Sequence, residues 1–224
     1  MSSLNLPGAR QARAAVRRLR PLGSSASYWE RRYRAGGTSG AGSYGRNAAV
    51  KAEVVNRVVR EHQVGSIVEF GCGDGNQLTL IEVPSYVGLD VSAAAIEMCA
   101  ARFAGDESKS FFRYDPGHFV DRSRVFARDL ALSQEVIFHL VEDDVFELYM
   151  DHLFDAAERF VLICSSDLDL RPTKHVRHRV FTRWVSQHRP EWVLAEQVPN
   201  PLPQDASSGE GMLADFYLYT RAPS

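Results

Sequence analysis

Its 224 residues suit one α/β domain with a short extension rather than two domains, and 45% hydrophobic with 24% charged residues is ordinary for a soluble globular protein. A formal net charge of −2 argues against nucleic acid or an anionic membrane as a general partner, and no apolar run approaches the roughly 20 residues needed to span a bilayer. Cys72, Cys99 and Cys164 are odd in number and lack zinc-ligand spacing, which points to reduced thiols in a cytoplasmic protein.

Residues 1–27 carry Arg10, Arg13, Arg17, Arg18 and Arg20 and no acidic residue. This composition fits a basic, flexible N-terminal tail, with a weak anion-binding arm or an Arg-rich targeting peptide as alternatives. The tail lacks the apolar core of a secretory signal. Residues 28–224 then form the folded domain, of which 28–62 precede the first strand. Tyr28-Trp29-Glu30-Arg31-Arg32-Tyr33 opens it as a short helix. Residues 36–45 hold five glycines in ten positions, a loop that cannot hold itself in place. A helix over 46–62 follows from the apolar spacing of Ala49, Val50, Val54, Val55, Val58 and Val59.

Ile67, Val68 and Phe70 form a short β-rich apolar run that breaks into Gly71, Gly73 and Gly75, after which Gln77, Leu78, Leu80 and Ile81 resume a helix-like pattern. In such a strand–turn–helix no Cβ stands between the backbone and a ligand. A dinucleotide turn requires G-x-G-x-x-G facing a pyrophosphate. Here the spacing is G-x-G-x-G, with Glu69 two residues before the first glycine. A carboxylate repels a pyrophosphate and attracts a cation, which disfavours an NAD-linked enzyme. Glu69-x-Gly71-x-Gly73-x-Gly75 resembles the first motif of class I S-adenosylmethionine (SAM)-dependent methyltransferases.

The resemblance implies a Rossmann-like α/β fold, a seven-stranded mixed sheet with helices on both faces, and SAM across the carboxyl edge of strands one and two. Glu69, Gly71, Cys72, Gly73, Gly75 and Asn76 then contact the cofactor. Ser85 to Asp90 reads as strand two, ending on a carboxylate placed to take both ribose hydroxyls, with Val91 beside it. Ser92 is the expected N-cap of a helix over Ala93 to Phe103. Phe111 to Asp115 reads as strand three, and the resemblance sets Asp115 toward the adenine amino group. Leu130 to Leu132 form strand four, whose carboxyl end brings Ser133, Gln134, Glu135 and His139 to the site. An amphipathic helix over 142–159, strand five over 160–164 and a polar tip at Ser165-Ser166-Asp167 follow. His175 to Arg179 reads as a loop before a helix through Phe181, Trp184 and Val185. Trp192 to Val198 and Phe216 to Thr220 read as closing strands around a loop over 199–211.

Residues 28–220 also resemble one bacterial subgroup of these enzymes, through Tyr-Trp-Glu at 28–30, the glycine loop at 36–45, Glu-Phe-Gly-Cys-Gly-Asp-Gly-Asn-Gln-Leu at 69–78, the stretch at 135–143 and His-Val-Arg-His-Arg at 175–179. That subgroup is associated with polysaccharide and cell-envelope glycan assembly, which implies methyl transfer to an acceptor hydroxyl on a sugar or glycan precursor. The glycine loop is expected to act as a lid with Tyr44 as its contact residue. An alcohol acceptor needs a general base, and His178, His139 and His175 are the candidates, with Glu135 and Asp167 as orienting carboxylates. Glu135 and Asp167 could instead hold Mg2+, and Arg177 and Arg179 could grip the acceptor. Alternatives are a small-molecule N- or carboxyl-methyltransferase and a non-catalytic SAM-binding module. The strand-four tip, Ser-Gln-Glu-Val, lacks the Asn/Asp-Pro-Pro-Tyr/Phe motif of amino-methylating DNA enzymes.

Overall fold

A computed structural model of the chain describes residues 24–202 and 213–222. Most of the basic tail and most of the loop at 199–211 therefore lie outside the described residues. In chain order the elements are α1 (Ser25–Arg34), α2 (Gly45–Glu61), β1 (Ser66–Phe70), β2 (Ser85–Asp90), α3 (Ala93–Arg102), β3 (Lys109–Arg113), β4 (Arg128–Gln134), α4 (Asp143–Asp155), β5 (Ala157–Ser165), β6 (Leu170–Thr173), β7 (Val176–His178), α5 (Phe181–His188), β8 (Trp192–Val198) and β9 (Asp215–Arg221). Seven strands form one sheet in the order β3-β2-β1-β4-β5-β9-β8. β3 through β5 are parallel, whereas β9 pairs antiparallel with both β5 and β8.

Side chains alternate across each strand, so each face of the sheet collects its own core. Val68, Phe70, Ala131, Val161 and Ile163 pack with Phe146, Met150 and Leu153 of α4 and with Phe181 and Val185 of α5. Ile67, Leu130, Leu132 and Leu162 pack on the other side with Val54, Val55, Val58 and Val59 of α2. Glu69 shares parity with Ile67, which sets its carboxyl on the α2 side. The order reverses between β1 and β4, and ligands of open α/β sheets bind beyond the carboxyl ends at such a point.

Five sequence expectations shift. Residues 25–27 belong to α1 rather than to the tail, because Ser24 caps that helix by accepting a bond from the Ser27 amide at 3.3 Å. The glycine turn leads into a 3-10 segment, Gln77–Leu80, since only eight residues separate Gly75 from Pro84. α4 stops at Asp155, because pairing of Ala157 with Arg128 draws residues 157–159 into β5 and overrides their helical propensity. Residues 175–179 are not a plain loop: β6 and β7 form a hairpin in which Leu170 pairs with His178 and Thr173 with Val176. On α2, Ala49 is exposed and the buried stripe instead runs through Ala48, Lys51, Ala52 and Val55.

Candidate active site

The glycine turn is built by backbone conformation. Gly71 and Gly73 have φ of 87° and 58°, a region costly for residues with a Cβ. Neighbours also fill the Cβ positions: a methyl on Gly71 would strike Val136, and one on Gly73 would overlap the Ser39 hydroxyl and the Tyr33 phenol. The turn is tied to β2 by bonds from the Gly71 and Cys72 amides to the Leu89 carbonyl. Beside the turn opens a cavity of about 2450 Å³. Ligand pockets commonly measure about 300–1,000 Å³, so a nucleoside cofactor and a second substrate fit together.

Glu69, Asp90 and Glu135 line the inner wall of the cavity. Glu69 is 3% exposed and accepts from the Tyr86 hydroxyl and, at 2.9 Å, from Gln134 Nε2. Burial pushes its pKa up. Asp90 accepts from the Gly73 amide at 3.0 Å and the Ser92 amide at 2.8 Å, and burial raises its pKa to about 6. Each carboxylate keeps lone pairs beyond these bonds. Glu135 follows β4 with φ of 56° and pairs at 2.8 Å with Nζ of Lys51, whose side chain is wholly buried. Gln134 is 7% exposed, and its Oε1 has no hydrogen-bond partner among the described residues.

The glycine loop lies latched on the turn. Asp74 Oδ2 accepts from the Ser39 amide and from the Tyr44 hydroxyl, both at 2.8 Å, and the Ser39 hydroxyl accepts from the Asp74 amide at 3.0 Å. Burial pushes the Asp74 pKa up, but hydrogen bonds from Ser39, Asn76 and Tyr44 outweigh it and hold the carboxyl below its usual range. Asn76 Nδ2 donates to the Ser43 carbonyl at 2.8 Å, and Arg32 Nε donates to the Thr38 carbonyl at 2.6 Å. The loop's Gly42 is pressed against the Glu135 carboxylate.

The outer wall is aromatic. Tyr28 stacks on His175 with centroids 4.5 Å apart, and Trp29 meets His139 edge-on at 5.0 Å. His139 Nδ1 lies 3.3 Å from the His175 carbonyl, which can only accept, so Nδ1 carries the proton and Nε2 is the basic nitrogen of the neutral ring. Burial pushes the His139 pKa below its ordinary value, which keeps the ring neutral at pH 7.

Of the residues singled out from sequence, Glu69, Gly71, Cys72, Gly73, Asp90, Val91, Asp115, Gln134, Glu135 and His139 line this cavity. The rest serve elsewhere. Gly75 makes room for Cys99 and Phe103 behind the turn, and Ser133 bonds the Tyr149 hydroxyl at 2.7 Å in the core. Asn76 and Tyr44 take part in the latch. His178, 7% exposed, bonds the Ser166 hydroxyl, and burial lowers its pKa. His175 is a stacking partner of α1. Asp167 accepts from both the amide and the hydroxyl of Thr182 at the start of α5. Arg177 and Arg179 reach Asp143 at 2.7 and 3.1 Å, and Arg179 also donates to the Leu140 carbonyl at 2.6 Å. They hold the β6–β7 hairpin to the start of α4. Glu135 and Asp167, the metal candidates, are committed to Lys51 and Thr182, and the described residues contain no group of three metal-ligating side chains.

Sequence reasoning missed Lys51, Asp74 and the pairing of the motif at 135–143 with that at 175–179. Lys51 had a visible signal, a lysine inside the buried helical stripe of α2. Asp74 had none, because it is one polar residue among glycines until the loop is laid on it.

No family model and no curated protein matches this sequence. Solved structures do match in fold, and the fold they define is the Rossmann-like methyltransferase fold. The N-methyltransferase NodS from Bradyrhizobium japonicum, solved with S-adenosylhomocysteine, matches at a TM-score of 0.66 and 16% identity, over 90% of this chain and 100% of that one. The methyltransferase domain of bacterial CtHen1 matches at 0.62 and 18% identity, over 78% and 98% of the two chains. Magnesium protoporphyrin IX methyltransferase from Synechocystis, also solved with S-adenosylhomocysteine, matches at 0.57 and 13% identity, over 95% and 93%. Among the described residues no helix is long and apolar enough to cross a membrane.

Proposed function

We propose that this chain is a SAM-dependent methyltransferase that delivers the methyl group to an acceptor hydroxyl on a sugar or glycan precursor. The supporting observation is the charge of the inner wall: Glu69, Asp90 and Glu135 line the cavity, and Glu135 is paired with the buried Lys51. Such a wall favours a nucleoside bearing an ammonium and a sulfonium. It disfavours a pyrophosphate, which would also find only a four-residue 3-10 segment after the turn instead of an α-helix N-terminus.

In this reading the unpartnered Gln134 Oε1 and the Glu69 carboxylate take the ammonium, Asp90 takes the ribose hydroxyls and Asp115 the adenine amino group. SAM supplies an electrophilic methyl group whose transfer depends mainly on alignment. The chain supplies that alignment through the latched loop, and His139 Nε2 takes the acceptor proton as the new bond forms. The resemblance at residues 28–220 supports the saccharide hydroxyl as acceptor. His178 and His175 drop out as bases, since neither lines the cavity. Glu135 and Asp167 are committed to other partners, so no step is assigned to Mg2+.

Calorimetric titration with S-adenosylhomocysteine and with NAD tests the cofactor. S-adenosylhomocysteine should bind and NAD should not, and Glu69→Ala and Asp90→Ala should each weaken binding by about 1.5–3 kcal/mol. Unchanged affinity in both variants would sink the cofactor assignment. His139→Ala should keep that affinity while lowering turnover by roughly 10²- to 10⁴-fold.

A further inference from the structure

The base proposed for this reaction is oriented from outside its own segment. His139 ends the 3-10 turn Ile137–His139 that follows β4, and its Nδ1 meets the His175 carbonyl, at the tip of the β6–β7 hairpin, at 3.3 Å. That distance is long for a nitrogen–oxygen bond, so a small displacement of the tip breaks it. The hairpin is anchored along β7 and just beyond it: Arg177 and Arg179 pair with Asp143, and His178 bonds the Ser166 hydroxyl. Its tip has less support. All of β6 is exposed, and the His175 amide donates to Thr173 Oγ1 of the same hairpin at 3.2 Å. Among the described residues, the other group that meets His175 from outside the hairpin is the Tyr28 ring. It stacks on the imidazole with centroids 4.5 Å and planes 22° apart. The next residue, Trp29, meets the His139 ring itself edge-on at 5.0 Å.

Both aromatics belong to α1, which is fixed to the fold at two points. The Ser25 amide donates to Oε1 of Glu142, the N-cap of α4, at 2.9 Å. Glu30 Oε2 accepts from the Ser92 hydroxyl at 2.7 Å, and the Ser92 amide in turn donates to Asp90 at 2.8 Å. The helix therefore bridges the loop after β2 and the start of α4, and it presents its aromatic pair to the two histidines. Tyr28, Trp29 and His139 line the cavity, whereas His175 does not.

We propose that Tyr28 is a positioning residue for the methyl transfer: its ring pins the hairpin tip so that the His175 carbonyl holds the proton on His139 Nδ1, while Trp29 limits rotation of the imidazole. The consequence for turnover rests on the reading of His139 as the base, but the pin itself does not. Without the Tyr28 ring the tip shifts and Nδ1 loses its fixed acceptor. The proton then distributes between the two ring nitrogens, and part of the population presents an N–H where the acceptor proton has to go. The titratable and charged groups around the imidazole are Glu135 after β4, Arg32 on α1, and His175 and His178 on the hairpin. Of these only His175 is altered in the test, and its backbone carbonyl stays.

The test is a long-range proton–nitrogen correlation of the imidazoles in the nitrogen-15-labelled full chain at about pH 8, where a histidine ring is neutral. His139 is assigned by the signals lost in His139→Gln. In the native chain Nδ1 should resonate as a protonated nitrogen and Nε2 as a bare one. Tyr28→Phe, which keeps the ring, should preserve that pattern. Tyr28→Ala and His175→Ala should each shift the two nitrogens toward one another, and the double variant should go no further than either single one, because both remove the same contact. A native chain with the proton on Nε2, an unchanged pattern in both alanine variants, or an equal shift in Tyr28→Phe overturns the proposal. Amide protection of β1 and β4 on the same samples shows whether the sheet is intact, and His175→Ala, on an exposed tip, carries the test should Tyr28→Ala not fold. Titration with S-adenosylhomocysteine separates the two readings: a chain that does not bind it but keeps the tautomer response refutes the cofactor assignment and supports the pin.

Discussion

Removing Glu135 should destabilise the protein far more than removing its partner Lys51. The Lys51 side chain has no exposure and that of Glu135 keeps 18%, with 2.8 Å between Nζ and Oε2. Glu135→Ala leaves an ammonium sealed between α2 and the sheet, where it must stay charged without its partner or give up its proton. Breaking a buried pair in this way costs about 3–5 kcal/mol, a large part of a typical total of about 5–15 kcal/mol. Alanine suffers at φ of 56° much as glutamate does, so the backbone penalty stays nearly constant across the substitution. Lys51→Met instead fills the same buried volume with apolar atoms and leaves a carboxylate that still reaches water, for a cost of about 1 kcal/mol. Urea unfolding of the two single variants and the double variant, with unchanged m-values, measures all three terms. The double variant should recover part of the Glu135→Ala loss, giving a coupling of about 2–3 kcal/mol. Equal costs for the single variants, or additive costs in the double, would refute the assignment of a buried cation held by one carboxylate.

Asp74→Ala should free the glycine loop, because it removes the acceptor for the Ser39 amide, the Tyr44 hydroxyl and the Asn76 amide. Amide exchange should then speed up across residues 36–45 while β1 and β4 keep their protection, and a uniform change would count against a local latch. Asp90 has a folded pKa of about 6 against an ordinary 3.8, because burial favours its neutral form. Its stabilising contribution is therefore complete below about pH 4 and lost as pH rises through 6, a swing of roughly 3 kcal/mol. Asp90→Asn should flatten that part of the stability–pH curve and make the protein relatively more stable at pH 8. S-adenosylhomocysteine affinity of the native chain should fall below pH 6, as the ribose acceptor is protonated, and a pH-independent affinity would contradict the role given to Asp90.

Sequence by itself determined the fold and which residues line the inner wall of the cavity. Hydrophobic runs ending on Phe70 and Asp90, with glycines at alternate positions between them, specify a parallel strand–turn unit, because positive φ and close packing at Gly71 and Gly73 tolerate no side chain. Those constraints are local and set Glu69 and Asp90 beside the turn, while the apolar run of β4 carries Gln134 and Glu135 to the same sheet edge. Tertiary structure alone decided what polar residues far apart in the chain do with one another. Arg177, Arg179 and His178 have the composition of a substrate loop. Their partners, Asp143, the Leu140 carbonyl and Ser166, come from other elements and tie them into the fold. His139 shows the reverse: its apolar neighbours Phe138 and Leu140 suit a packing residue, and only the His175 carbonyl, 36 positions away, fixes the tautomer that leaves Nε2 basic. A side chain's charge is written in the sequence, but whether that charge is free to act depends on partners that meet only when the sheet and helices close around it.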